Sequence, residues 1–386
     1  MLPYLAVFAI CAIASLLACA PSRRGNQGFV CFSIFIVLLL SLFAGFRYQV
    51  VGTDTQGYAL PLYNMAVMQT DFMSFYHQDW FRAWGWSTVD TIEIGYLVFV
   101  WISAKLGSFQ LLLFLTSFFT VGPFYLALAM RREVSLPFGL FMFMFLYFNV
   151  TLNAMRQWIA IAFIFLALVG VYDSAKCLRS QPSVILLLVV AFLFHSSALL
   201  GAIPFLLMLF LKRGNTSIRL GIVVVVSVIA LFSVNGFRVL LIDHGFVRYA
   251  NYLGDGNTQL SVPQLVLRVP FLVVAGYLYK SGYLEKKEAA FYLCMAVIGL
   301  LCGQFSTLTE QSGRIGQYFD IYFLFAASIL AKPTSSLSQG AGLIDGKITI
   351  ASLFPVFVAL YCIAYWCYSY VLMNSGETIP YVFFWS

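Results

Sequence analysis

Uninterrupted apolar runs of about 17 to 25 residues recur from one end of this 386-residue chain to the other. A hydrocarbon layer is roughly 30 Å thick, and a helix rising about 1.5 Å per residue needs a run of that length to cross it. In lipid every backbone N–H and C=O must be paired, which leaves helices or a closed barrel. The runs lack the period-two alternation of barrel strands. The chain therefore reads as all-α, a polytopic helical integral membrane protein. Its composition agrees: 62% of residues are hydrophobic and 10% charged, against about a quarter charged in soluble domains.

Apolar runs between polar breaks place about twelve spans, at residues 3–20, 29–46, 109–130, 137–150, 157–172, 183–194, 197–211, 218–234, 264–279, 288–303, 315–331 and 348–372. The run at 94–106 is too short to cross and is expected to be re-entrant, because Lys105 and Gly107 interrupt it. No soluble domain fits anywhere, so residues 1–386 form one membrane domain. Its outer loops, about 47–93 and 235–263, are expected to form a lid. The first run has no basic segment before it and Arg23-Arg24 after it, the pattern of a retained span. Eight cysteines lie mostly inside apolar runs, with neither a CxxC nor paired histidine spacing, so no disulfide framework or metal site is expected.

Basic residues of short loops set orientation. Six clusters, beginning at Arg23-Arg24 and ending at Lys332 with Lys347, hold 14 of the 22 basic residues and alternate with loops that lack lysine. They are expected in the cytoplasm, with both termini and the long loops outside. The remaining basic residues are almost all arginine, which favours a site that grips phosphate through a planar, always-charged fork. The plainer account is that outer loops avoid lysine for topology and arginines cap helix ends.

Four stretches concentrate polar groups. In FRYQVVGTDTQGY, Arg47 ends a span, Gly52 and Gly57 permit tight turns, and Asp54 and Tyr58 stand where the chain leaves the membrane. A snorkelling arginine with a capping aspartate would look the same. In NAMRQWIAIA, Asn153, Arg156 and Gln157 fall on one helical face at three- and four-residue spacing, and an ionisable group so close to apolar sequence marks a functional position. A helix-end arginine pairing with a loop acid is its alternative. In AFLFHSSALLGAIP, two short runs meet at His195, Ser196 and Ser197, as a shallow hairpin would. His195 is a candidate base, a donor to an oxyanion, or a structural donor. No aspartate nearby completes a serine triad. In STLTEQSGRIGQYFDIY, Glu310, Arg314 and Tyr318 recur at a spacing of four, which a simple Glu310–Arg314 helix pair also explains. The loop at 235–262 adds Arg248 among tyrosines and aspartates.

Taken in order, RYQVVGTDTQGY from Arg47, EIGY from Glu93, RQWIA from Arg156, FHSSAL from Phe194 and RIGQYF from Arg314 resemble the EpsG-type proteins. These are Wzy-like polymerases of bacterial exopolysaccharide, capsule and O-antigen. The resemblance covers nearly the whole chain. One departure is Thr55, which stands where the family pattern has an aromatic residue after the aspartate.

The resemblance implies a multi-pass enzyme of the bacterial plasma membrane with its active site facing outward. It would transfer a glycan from undecaprenyl diphosphate to the non-reducing sugar of another lipid-linked repeat unit. Both lipid-linked oligosaccharides are then partners, as are membrane lipid and a protein that controls chain length; nucleic acid is not. Displacing a diphosphate requires charge stabilisation on the leaving group and a base for the attacking hydroxyl. No clustered pair of acids is present to hold a metal, and no cofactor is expected. Arg156, Arg314 and Arg248 are then the diphosphate ligands, with Arg47 as a fourth, and Tyr58, Gln157 and Tyr318 complete the substrate contacts. His195, Asp54 and Glu310 are candidate bases. Inversion at the anomeric carbon is expected of a single displacement. Rival readings are a flippase of the same lipid-linked sugars, expected to carry an internal repeat that is not evident here, and a ligase that uses the same chemistry on another acceptor.

Overall fold

The computed structural model describes residues 1–20, 27–82, 85–172, 182–245, 250–251, 253–256, 259–332 and 350–385. Six of its helices are long and apolar enough to cross a membrane: Gln27–Gly45, Phe109–Met130, Leu136–Asn153, Val262–Ser281, Lys286–Thr307 and Leu353–Leu372. A pair bent by 62°, Thr216–Phe232 with Val234–Asp243, is a seventh if it forms one broken span. Five further apolar helices have 10–17 residues. The expected dozen spans thus separates into six or seven helices of crossing length and shorter pieces. The runs at 183–194 and 197–211 show why, since they fold as helices of only 13 and 10 residues, Pro182–Phe194 and Ala202–Leu211.

Many helices turn apolar side chains outward. Gln27–Gly45 buries Ile36, Leu40 and Phe43 while exposing Val30, Ile34, Phe35, Leu38 and Leu42. An exposed stripe of that size is a surface for lipid, not water. The chain is a multi-pass helical membrane protein.

Two compact units divide the chain, residues 1–199 with 362–386, and residues 200–361. In the first, helices α1 (Leu2–Ala18) and α2 (Gln27–Gly45) are followed by the short helices α3 (Leu60–Met68) and α4 (Phe72–Tyr76). A hairpin comes next, β1 (Asp79–Arg82) and β2 (Gly85–Thr88), with Asp79 opposite Thr88 and Arg82 opposite Gly85. Then come α5 (Ile94–Lys105), α6 (Phe109–Met130), α7 (Leu136–Met142), α8 (Phe148–Asn153), α9 (Met155–Tyr172) and α10 (Pro182–Phe194). A π-turn joins α7 to α8 without breaking the rod. Helix α9 forms the centre of this unit, packed against α6 and α10 with Trp158, Ile159, Ala162 and Phe165 fully buried.

The region after α2, expected as an outer loop, has its own core. Leu62, Ala66, Phe75, Val89, Ile92, Tyr96 and Leu97 are buried together. The α3 and α5 helices lie side by side: Tyr58 and Tyr96 meet at 5.6 Å near their starts, and at the other end the Lys105 ammonium donates to the carbonyl of Ala66 at 3.1 Å. Twelve residues make α5 about 18 Å long, against a hydrocarbon layer roughly 30 Å thick. The C-terminal stretch closes the unit. Trp366 Nε1 donates to Asn149 Oδ1 at 2.9 Å, and Tyr48 and Phe384 donate backbone hydrogen bonds that pair residues 46–48 with 382–384.

The second unit holds α11 (Ala202–Leu211), α12 (Thr216–Phe232), α13 (Val234–Asp243), α14 (Val262–Ser281), α15 (Lys286–Gly303) and α16 (Phe323–Leu330). Its principal pair is α14 with α15. There an ion pair joins Arg268 Nη2 to Asp320 Oδ2 at 2.9 Å. Glycines make room for it: a Cβ on Gly303 would come within 2.6 Å of the Arg268 guanidinium.

Candidate active site

The turn that follows Arg47 is built around glycine. Gly52 adopts φ +93, donates its N–H to the Glu377 carbonyl at 3.0 Å, and leaves so little room that a Cβ would lie 2.9 Å from the Leu152 carbonyl. Only glycine satisfies both demands. The turn thereby rests on the C-terminal end of α8, where the Asn153 side-chain carbonyl accepts from Thr53 Oγ1 at 2.6 Å and from the Asp54 backbone N–H at 2.9 Å. Asp54 is fixed through its backbone, and its half-buried carboxylate acts on the phenol of Tyr58 one turn later.

Arg47 points inward. It is 1% exposed, and its guanidinium donates to the Ala44 carbonyl at 3.1 Å and to the Leu152 carbonyl at 3.2 Å, with Thr55 Oγ1 at 3.4 Å. A cation among carbonyls at the ends of two helices is electrostatically favourable. In this geometry Arg47 holds α2 to α8 and faces protein rather than an open site. Thr55 is buried beside it and donates to the Val51 carbonyl at 2.9 Å. Threonine instead of an aromatic ring therefore alters a packing position.

A second group assembles where three helix ends meet. Glu93 precedes α5, Arg156 lies in the first turn of α9, and Ser196 follows α10. The Arg156 guanidinium pairs with Glu93 Oε2, and the Ser196 backbone N–H donates to Glu93 Oε1 at 2.9 Å. The charged side chains are 17% and 16% exposed. The approach of α5 to α10 depends on Gly95, where a Cβ would lie 2.7 Å from the Leu193 carbonyl. The guanidinium of Arg156 also lies 4.7 Å over the Tyr58 ring, a cation–π contact.

The electrostatics follow from this packing. Burial pushes the Glu93 carboxyl up, but the Arg156 guanidinium, His195 and the Ser196 amide outweigh it and hold the group below the ordinary glutamate value of 4.5. Burial, together with the Asp54 charge, pushes the Tyr58 phenol well above its ordinary value despite Arg156. At neutral pH the site presents an ionised Glu93, a cationic Arg156 and a neutral phenol.

His195 sits between α10 and a 3-10 turn, Ser196–Gly201. Its Nδ1 accepts from the Ser197 backbone N–H at 3.1 Å and lies 2.6 Å from the Ser197 hydroxyl oxygen. Arg156 and the turn at His195–Ser196 thus meet at Glu93, with Tyr58 under Arg156 and the Asp54 charge acting on Tyr58; Glu93 is a residue that spacing alone did not single out. The 63-residue separation of Glu93 from Arg156 explains that omission. Gln157 is buried on the same first turn of α9. Asn153 does not share one helical face with Arg156 and Gln157, because the helix breaks at Ala154, φ −81 and ψ 52. The break turns Asn153 toward Asp54 and lets α9 begin afresh with Arg156 near its start.

Beside the same turn lies an open cleft of about 270 Å³, lined by Gln49, Val50, Gln56, Leu60, Pro61 and Asn64. It carries three carboxamides and no charge.

The other expected site residues fall elsewhere. Arg314 is half-buried and Tyr318 is 1% exposed, both in the second unit. The row Glu310, Arg314, Tyr318 is not one α-helix: Glu310–Gly313 and Gln317–Asp320 are single α-turns separated by a 3-10 turn, Arg314–Gly316. The Glu310 side chain and all of Arg248 lie outside the described residues. Among the described residues no three histidine, cysteine, aspartate or glutamate side chains are grouped to hold a metal ion.

The family model described as the EpsG family matches residues 30–383. No curated protein and no solved structure matches the chain. The span of the match reaches from α2 to the C-terminal stretch and includes every motif around Glu93, so the chain belongs to the EpsG family, a family of Wzy-like polysaccharide polymerases.

Proposed function

We propose that the protein is a glycosyltransferase of the bacterial plasma membrane that lengthens a surface polysaccharide at the outer face. The donor is a glycan on undecaprenyl diphosphate, and the acceptor is the non-reducing sugar of a second lipid-linked repeat unit. The observation that carries the reading is the setting of Glu93. One carboxylate oxygen meets a guanidinium and the other a backbone N–H, an arrangement that suits any oxyanion. A diphosphate drawn to Arg156 shares or displaces that carboxylate and finds the charge stabilisation that departure from an anomeric carbon requires.

In this reading guanidinium groups neutralise the diphosphate charge, the task a divalent cation performs in other transferases. Asp54, pinned by Asn153, takes the proton of the attacking hydroxyl as the anomeric carbon inverts. Tyr58, held under Arg156, orients the sugar or the phosphate. The neutral cleft at Gln49, Gln56 and Asn64 is suited to hydroxyl groups of a sugar near Asp54. Arg314 and Tyr318 keep their proposed role as substrate contacts on the strength of their motif. A chain-length regulator is a proposed partner.

The reaction has a stoichiometric signature. Each new glycosidic bond frees one undecaprenyl diphosphate, so product length and released lipid must rise together in vesicles that contain only the enzyme and synthetic repeat units. Transport across the bilayer without release of the lipid would refute the reading.

A further inference from the structure

Resting on the reading of Asp54 as the base, the contacts of the C-terminal turn carry one further assignment: we infer that residues 374–377 form a strap that positions Asp54, with Asn153 and Gly376 as its positioning residues. Three of the four strap residues are left-handed, Asn374 at φ 45, Gly376 at φ 72 and Glu377 at φ 52. Asparagine and glycine enter that region readily, whereas a glutamate stays there only where its surroundings hold it.

Those surroundings are specific. On one side Thr378 is 1% exposed, its hydroxyl accepts from Asn149 Nδ2 at 3.0 Å, and its carbonyl accepts from the Tyr4 hydroxyl at 2.8 Å. On the other, the Glu377 carbonyl accepts the Gly52 N–H at 3.0 Å. The Glu377 side chain is exposed and has no part in these bonds. Its strained backbone serves to aim one carbonyl at the turn that carries Asp54.

Gly376 reaches the same turn through Asn153. The Asp54 backbone N–H can only donate, so the Asn153 atom facing it at 2.9 Å is the side-chain carbonyl oxygen. A Cβ on Gly376 would come within 2.9 Å of the amide nitrogen of that same side chain. Only glycine meets both this approach and φ 72. Asn149 and Asn153 stand four residues apart in α8 and share one of its faces. One grips the strap at Thr378, the other the turn at Thr53 and Asp54. The strap therefore acts on Asp54 twice, through Gly52 and through the Asn153 amide. A base works only while its carboxylate is held within reach of the hydroxyl it deprotonates, so loosening the strap lowers turnover more than binding.

Vesicles in which the wild type elongates lipid-linked repeat units test this role. Gly376→Ala and Asn153→Ala should each lower kcat about tenfold and change KM by less than about twofold. Asn153→Asp keeps an oxygen for Thr53 and Asp54 but adds a second carboxylate beside Asp54. It should return kcat at high pH to within about threefold of the wild type, and move the acid limb of kcat upward by about one pH unit, because like charges raise each other's pKa. An acid limb that stays in place would overturn Asp54 as the base and with it the role of the strap in the reaction. Hydrogen exchange reads the strap without the reaction: the amides of Gly52 and Asp54 should exchange about tenfold faster in folded Gly376→Ala and Asn153→Ala than in the wild type. Unchanged exchange in both variants would overturn the strap itself. A wild type that does not elongate would count against the polymerase reading, and the exchange rates would still decide whether the strap holds the turn.

Discussion

Glu93 and Arg156, 63 residues apart in sequence, form an ion pair at the start of α9, and the second oxygen of Glu93 takes the N–H of Ser196. One carboxylate thus joins the ends of three helices and orients the cation proposed to hold diphosphate. Glu93→Gln keeps the shape and removes the charge. It should lower elongation about tenfold, measured as ladder growth in vesicles, while the protein remains folded at room temperature.

The same pair fixes a pH window for stability. The folded-state pKa of Glu93 is lowered from its ordinary 4.5, so its contribution is present above that value and disappears as pH falls through the lower folded value. Thermal unfolding in detergent, followed from pH 6 down to about pH 3, should show a loss in the wild type that is smaller in Glu93→Gln. Equal acid sensitivity in both proteins would assign the loss to other groups.

Gly95 touches no substrate in this account, yet its replacement should inactivate. A Cβ there would lie 2.7 Å from the Leu193 carbonyl, which forces α5 away from α10 and draws Glu93 from the Ser196 amide. Gly95→Ala should reduce elongation by about an order of magnitude or more. Activity near that of the wild type would show that the contact between the helices relaxes without moving Glu93.

Arg47 separates a structural from a ligand role. Its guanidinium is 1% exposed and bonded to the Ala44 and Leu152 carbonyls, so Arg47→Gln should cost about 3 kcal/mol of stability. The folded fraction, assayed at low temperature, should elongate at a rate close to that of the wild type. Unchanged stability with a large loss of rate would instead make Arg47 a diphosphate ligand.

The helical membrane class was legible in the sequence because run length and hydropathy are local properties, whereas the number of spans was not, since among the described residues six or seven helices have crossing length against the expected dozen. Legible too were Asp54, Tyr58, Arg156 and His195 as chemically unusual positions, since a polar group beside apolar sequence is visible without a fold. What spacing could not convey is direction and partnership. Arg47 ends an apolar run just as a snorkelling arginine would, but the Leu152 carbonyl 105 residues away draws it inward. Asn153 and Arg156 sit at helical spacing, but the break at Ala154 sends them to different partners. The Arg268–Asp320 pair was hidden for the same reason: only the packing of α14 near the turn Gln317–Asp320 brings the two charges within 2.9 Å.

The most direct measurement gives purified protein in lipid synthetic undecaprenyl-diphosphate repeat units, with no nucleotide sugar, and compares the wild type with Arg156→Ala and Arg156→Lys. The account predicts a ladder of products one repeat apart from the wild type, lost in both folded variants because neither offers the planar fork beside Glu93. A folded wild type that yields no ladder and instead moves the lipid-linked unit across the bilayer would contradict it.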